Sequence, residues 1–136
     1  MYKILMIDDE MDFLEPMGIV LTSAGFSVET AQTPEEGMRK ARENNPHLVI
    51  LDVMMPHDYE GFEVAKYIRE DLKLEELPIL MLSNIHRAKK VPYRFAPDRD
   101  FLPVDVFLDK PVEPDVLLDT VKRMLGEKRE TPKTPL

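Results

Sequence analysis

The chain has 136 residues, 43% of them hydrophobic, which suits one compact domain with a filled core and a short appendage. Its formal charge of -8 argues against nonspecific binding to nucleic acid or an anionic membrane, since both ask for a Lys/Arg face. The absence of cysteine excludes disulfides and thiolate metal sites, and the N-terminal apolar run is too short for a signal peptide or a membrane span, so a soluble cytoplasmic protein is expected.

Ile4 to Ile7 is unbroken apolar sequence that stops at Asp8-Asp9-Glu10, the pattern of a strand buried on both faces and ended by charge. Asp12 can cap a helix whose apolar positions Phe13, Met17, Val20, Leu21 and Ala24 recur at helical spacing, with Pro16 near its first turn and Gly25 at its end. Phe26 to Thr30 reads as a short strand. Thr33-Pro34-Glu35-Glu36 is a capping box with proline at the first helical position, and Asn44-Asn45-Pro46 breaks the helix that it opens. Leu48 to Asp52 is the clearest strand of all, apolar throughout until a carboxylate closes it. Gly61 precedes a helix carrying Phe62, Val64, Ala65, Ile68 and Leu72, and Pro78 to Leu82 is a further apolar strand ended by Ser83.

From Asn84 to Pro103 the periodicity fails, and prolines mixed with basic and aromatic residues predict an irregular extended region in place of a regular fourth helix. Asp105 to Asp109 reads as the last strand, followed by Lys110-Pro111. Pro114 opens a final helix with Val116, Leu117, Thr120, Val121, Met124 and Leu125, and Gly126 stops it. Residues 1–126 form the expected domain and 127–136 a disordered tail. Strands alternating with helices imply right-handed crossovers and a parallel sheet covered on both faces, a doubly wound α/β fold.

Residues able to do chemistry stand at the strand ends. Asp8 and Asp9 follow the first strand, Asp52 ends the third, Ser83 the fourth, and Lys110 lies just past the fifth. In a parallel sheet these ends share one edge, so residues far apart in sequence converge there. Each member has a bland reading when taken alone: Asp52 as a turn cap, the acidic triplet as favouring a helix N-terminus, Ser83 as a loop residue, Lys110 as a solvated lysine. Their joint placement points to chemistry. Three carboxylates about 4 Å apart repel by roughly 4 kcal/mol per pair at an effective dielectric near 20, so they must protonate or hold a cation. A hard divalent ion such as Mg2+ suits them, and an Asp beside it can attack phosphorus while Lys110 and Ser83 meet the phosphoryl oxygens. The histidines His47, His57 and His86 show no ligand spacing.

On the motifs Ile7-Asp8-Asp9-Glu10, Leu51-Asp52-Val53-Met54-Met55-Pro56, Ser83 and Asp109-Lys110-Pro111, the chain resembles a response regulator receiver domain of the two-component systems from about Tyr2 to Gly126. The resemblance implies a flavodoxin-like five-stranded sheet in the order 2-1-3-4-5. It implies Asp52 as the phosphoacceptor, with Mg2+ held by Asp8, Asp9, Asp52 and the backbone carbonyl of Met54. It also implies Ser83 and Lys110 on the phosphoryl group, a cis Lys110-Pro111 bond, and Ser83 and Phe107 as switch residues. The chain departs from the family's pattern in one extra residue between Pro56 and Gly61, in Asn84 where a small residue usually stands, and in the length of the region after it.

The resulting expectation is a stand-alone receiver that takes a phosphoryl group from a histidine kinase or histidine phosphotransfer protein and signals by conformational change to an unidentified protein partner, with no nucleic acid or membrane involved. It would not be an enzyme, since it acts only on its own carboxylate. The alternative is a protein-interaction module of the same fold that never relies on phosphorylation. A Mg2+-dependent phosphatase usually wants a second acid two residues after its nucleophile, where Met54 stands, and an FMN-binding protein would not place Asp8-Asp9-Glu10 in its phosphate loop.

Overall fold

A computed structural model of the chain describes residues 1–53, 60–83 and 104–126. The expectations for the Met54 carbonyl, the extra residue before Gly61, Asn84, the irregular region 84–103 and the tail 127–136 lie outside these residues. Strands β1 (Lys3–Ile7), β2 (Ser27–Ala31), β3 (Leu48–Asp52), β4 (Ile79–Ser83) and β5 (Val106–Asp109) form one sheet in the order β2-β1-β3-β4-β5. Every pairing is parallel, with Ile7 opposite Leu51, Asp52 opposite Leu82 and Ser83 opposite Asp109, so the carboxyl ends of the strands finish level along one edge.

The unbroken apolar runs follow from two-sided burial. Leu5, Ile7, Val49, Leu51, Ile79 and Met81 point to one face, against Ala41 of α2 (Pro34–Asn44) and Val64, Ala65 and Ile68 of α3 (Glu60–Lys66) and its continuation. Ile4, Met6, Leu48, Ile50, Leu80 and Leu82 alternate to the other face, against Leu14, Met17 and Leu21 of α1 (Met11–Ser23) and Leu117 and Val121 of α4 (Pro114–Met124). Alternation of side chains along each strand thus divides one hydrophobic run between two cores.

Several helix limits differ from those expected. Glu10, not Asp12, is the N-cap of α1, because the carbonyl of Glu10 already accepts from the amides of Phe13 and Leu14. Pro16 therefore stands at the sixth residue of the helix rather than in its first turn. The carbonyl that its missing N–H leaves without a helical donor belongs to Asp12, an exposed residue, so water can satisfy it. At α2 the capping box forms with a shifted return bond: the Glu36 amide donates to Thr33 Oγ1 at 3.1 Å, while the Glu36 carboxylate accepts from the amide of Gln32, one residue before the cap. Asn45 closes that helix in the left-handed region, φ 51°. Strands β2, β4 and β5 each begin one residue later than expected.

Gly61 lies inside α3 rather than before it, and α3 runs on into a π-helical turn, Tyr67–Asp71, that the apolar spacing did not suggest. That wider turn carries Arg69, which is buried. Its guanidinium donates to the carbonyls of Leu74 and Leu77 at 2.7 Å each and pairs with Asp105 Oδ2 at 2.9 Å. Asp105 Oδ2 also accepts from the amide of Ile79. Asp105 lies just before β5 rather than within it, its own amide donating to the carbonyl of Ile79, and it ties the beginnings of β4 and β5 to the end of the α3 turn. Replacement of Arg69 by Met keeps the aliphatic stem and removes these bonds; a loss of about 2 to 3 kcal/mol in unfolding free energy is expected from urea titration.

Candidate functional site at the carboxyl edge of the sheet

Level strand ends bring the charged residues together. Asp8 follows β1, fixed by its own amide donating to the carbonyl of Ala31 on β2. Asp52 ends β3 one register position beyond Ile7, and Lys110 directly follows β5 and is joined to Pro111 by a cis peptide bond. Ser83 ends β4 at the same edge and is placed by its backbone alone. Phe107 stands in the middle of β5, partly buried against the core shared with α2 and α3.

Asp8, Asp9 and Asp52 each offer an oxygen within 4.8 Å of the others, and Asp8 and Asp52 are buried. Lys110 Nζ lies 2.9 Å from Asp8 Oδ2 and 3.8 Å from Asp52 Oδ1. The sequence reasoning placed all four residues at one edge; the structure brings them into one constellation. Two further members were assigned other roles by the sequence. Glu10 Oε1 accepts from Lys110 Nζ at 3.1 Å, and the ring of Phe13, counted only as an apolar position of α1, lies 4.7 Å from the same nitrogen. No local signal distinguishes these two, because their partner is about a hundred residues away. Arg69 had a faint signal: it falls four residues after the buried Ala65, on the inward face of its helix.

Gly61 supplies the space that the site needs. Its amide donates to the carbonyl of Val53 at 2.7 Å, and a Cβ at this position would collide with the backbone carbonyl of Asp52 and come within 2.7 Å of the Val53 Cα. The chain after β3 must turn back this closely for α3 to pack. Gly61→Ala is expected to cost more than about 2 kcal/mol of stability, read from the urea midpoint, because the obstacle is backbone and cannot rotate away.

The electrostatics follow from crowding under burial. Desolvation, reinforced by the field of Asp8, pushes the Asp52 carboxyl up to about 7. Burial also raises Asp8, and the Lys110 ammonium beside it offsets this only in part. For Lys110, burial opposes the charge but Asp52, Asp8 and Glu10 outweigh it, so the ammonium is held above its ordinary value. The donor set fits a hard divalent cation: all three candidate ligands are carboxylates, and each oxygen has two lone pairs, so those of Asp8 that already accept from Lys110 and from the amide of Glu10 can still meet an ion.

A carboxyl that binds its proton more tightly in the folded than in the unfolded chain stabilises the fold most below its unfolded value, 3.8, and loses that contribution as the pH rises through about 7. Without divalent cations, the wild type is therefore expected to lose a few kcal/mol of stability relative to Asp52→Asn between about pH 4 and pH 8. Urea titrations of both proteins across that range give the difference directly, and a flat difference would mean that burial does not burden the Asp52 charge.

The model of the response regulator receiver domain family matches residues 4–122. The chain belongs to this family. At 33% identity over 130 residues this receiver is similar to the alkaline phosphatase synthesis transcriptional regulatory protein PhoP of Bacillus subtilis, a match covering 90% of this chain and 48% of that protein. At 30% identity over 135 residues it is similar to the DNA-binding dual master transcriptional regulator RpaA of Synechocystis, covering 99% of this chain and 52% of that one. The receiver thus spans about half the length of these curated relatives, and their names lend no support to the expectation that nucleic acid is uninvolved. Among solved structures, the chemotaxis protein CheY4 of Vibrio cholerae has a TM-score of 0.77 at 31% identity, over 91% of this chain and 98% of that one. Among the described residues of the receiver, no helix is long and apolar enough to cross a membrane.

Proposed function

We propose that this receiver accepts a phosphoryl group on Asp52 from a histidine kinase or histidine phosphotransfer protein, in a Mg2+-dependent reaction, and signals by a conformational change to a protein partner. The observation that carries this reading is the buried Asp52 with the Lys110 ammonium 3.8 Å away and two further carboxylates beside it.

The residues have distinct tasks in such a transfer. Asp8, Asp9 and Asp52 would hold Mg2+, together with the Met54 carbonyl by family resemblance. Bound there, the ion supplies neutralisation of the crowded carboxylates and of charge on the transferring phosphoryl group. Asp52 in its ionised form attacks phosphorus: its Oδ–P bond forms as the donor's N–P bond breaks, and the bonding pair leaves with the imidazole nitrogen. Lys110 is close enough to Asp52 to pair with a phosphoryl oxygen after a small shift, and Ser83, at the end of the adjacent strand, would hydrogen-bond another. Movement of Ser83 toward the phosphoryl and of Phe107 inward would then reshape the face around β5 and α4.

The receiver acts on its own carboxylate and turns over no separate substrate in this reading. The transcriptional regulators that this receiver resembles carry the matching segment within chains about twice as long. A cytoplasmic location follows from the proposed phosphodonor rather than from the chain itself.

Intact mass after incubation with acetyl phosphate and Mg2+ tests the reading. A gain of one phosphoryl group by the wild type, absent from Asp52→Ala and absent without Mg2+, is expected. No adduct with acetyl phosphate or with candidate kinases, under conditions that slow hydrolysis, would favour the phosphorylation-independent interaction module.

A further inference from the structure

Glu10 occupies the N-cap position of α1, yet its side chain makes no capping bond. Its backbone is fixed from both sides, the amide donating to Asp8 Oδ1 at 2.9 Å and the carbonyl accepting from the amides of Phe13 and Leu14. From that anchored position the carboxylate reaches Lys110 Nζ at 3.1 Å. The ammonium therefore has Asp8, Glu10 and the Phe13 ring around it on the α1 side, while Asp52 lies at 3.8 Å, longer than a hydrogen bond. Lys110 rests among groups other than the one that it would serve in phosphoryl transfer.

We propose that Glu10 is a positioning residue that competes with the phosphoryl group for Lys110: it holds the ammonium on the α1 side while Asp52 is unmodified and gives it up when a phosphoryl group arrives. This inference rests on the phosphoacceptor reading above. Asp8 alone is a poor holder once a divalent cation occupies the cluster, because ammonium and cation would share its oxygens and repel each other. Glu10 lies outside the three-carboxylate cluster and can keep its contact with Lys110. The phosphoryl group, with nearly two negative charges, wins the exchange against one carboxylate, but it wins by less than it would if Glu10 were absent. Since the Glu10 side chain is 64% exposed, water screens its hold, and its removal should change the balance by only about three- to fivefold.

Beryllofluoride, a non-covalent stand-in for a phosphoryl group on an aspartate, serves as the probe, titrated calorimetrically in excess Mg2+ against wild type, Glu10→Gln and Glu10→Asp. Glu10→Asp keeps the charge but shortens the reach by up to about 1.5 Å, and at an N-cap position Asp turns readily to the helix amides. Competition predicts that both variants bind beryllofluoride about three- to fivefold more tightly than wild type, by the limit set for an exposed pair. Mg2+ affinity, titrated separately without beryllofluoride, should be unchanged in Glu10→Asp and unchanged or weaker in Glu10→Gln. Tightening in Glu10→Gln with wild-type behaviour in Glu10→Asp would show that the charge acts through its field alone and would overturn the proposal, as would no change or weaker binding in both variants. Failure of the wild type itself to bind beryllofluoride would instead remove the phosphoacceptor reading and this inference with it.

Discussion

Among the described residues, one ammonium faces four carboxylates at the carboxyl edge of this sheet, and the arrangement of the site follows from that imbalance. Lys110 touches Asp8 and Glu10 and approaches Asp52, while Asp9 completes the acidic cluster. A single positive charge cannot offset the burial of these groups, so Asp52 and Asp8 hold their protons more tightly than usual, Asp52 also because of the Asp8 charge beside it. The same crowding of carboxylates fits the edge to a hard cation. A fold selected only for stability would not bury these charges together.

Such crowding is tolerable because the platform beneath it is rigid and apolar on both faces. The strands β1, β3 and β4 divide their side chains between two cores, with charged residues only at their ends. The strand starts are tied at the opposite edge by Arg69, which gathers two carbonyls and Asp105 into one buried hydrogen-bonded knot. At the site edge, the backbone itself does the fixing: Gly61 lets α3 begin against the carbonyl of Asp52, and the Glu10 amide holds one oxygen of Asp8. Asp8 is therefore anchored through its carboxylate, and Asp52 through its place in the strand ladder.

Helix limits show where local reading has its bounds. The capping box at Thr33 and the break at Asn45 were legible, since each depends on side chains within three or four residues of the backbone groups they satisfy. The start of α1 was not. Asp12 is as good a cap by type as any residue nearby, but the chain leaves β1 with Asp8 already bonded to the amide of Glu10, so the helix begins two residues earlier than its composition suggests. The π-helical turn after α3 escaped for a related reason. A wide turn becomes worthwhile only when it delivers a side chain to a distant partner, and the partner of Arg69 lies 36 residues further along the chain.

The sequence by itself determined the parallel α/β architecture and the residues Asp8, Asp9, Asp52, Ser83 and Lys110, because each of them ends or follows an apolar run, and a parallel sheet sends all such ends to one edge. Tertiary structure alone decided how the ammonium is shared. Whether Lys110 rests on Asp8, Glu10 or Asp52 depends on differences of an ångström or less among groups carried by β1, α1, β3 and β5. Periodicity records which face a residue takes, but distances of that size arise only when separate elements pack together, and at short range in a buried site they set which charge holds the lysine.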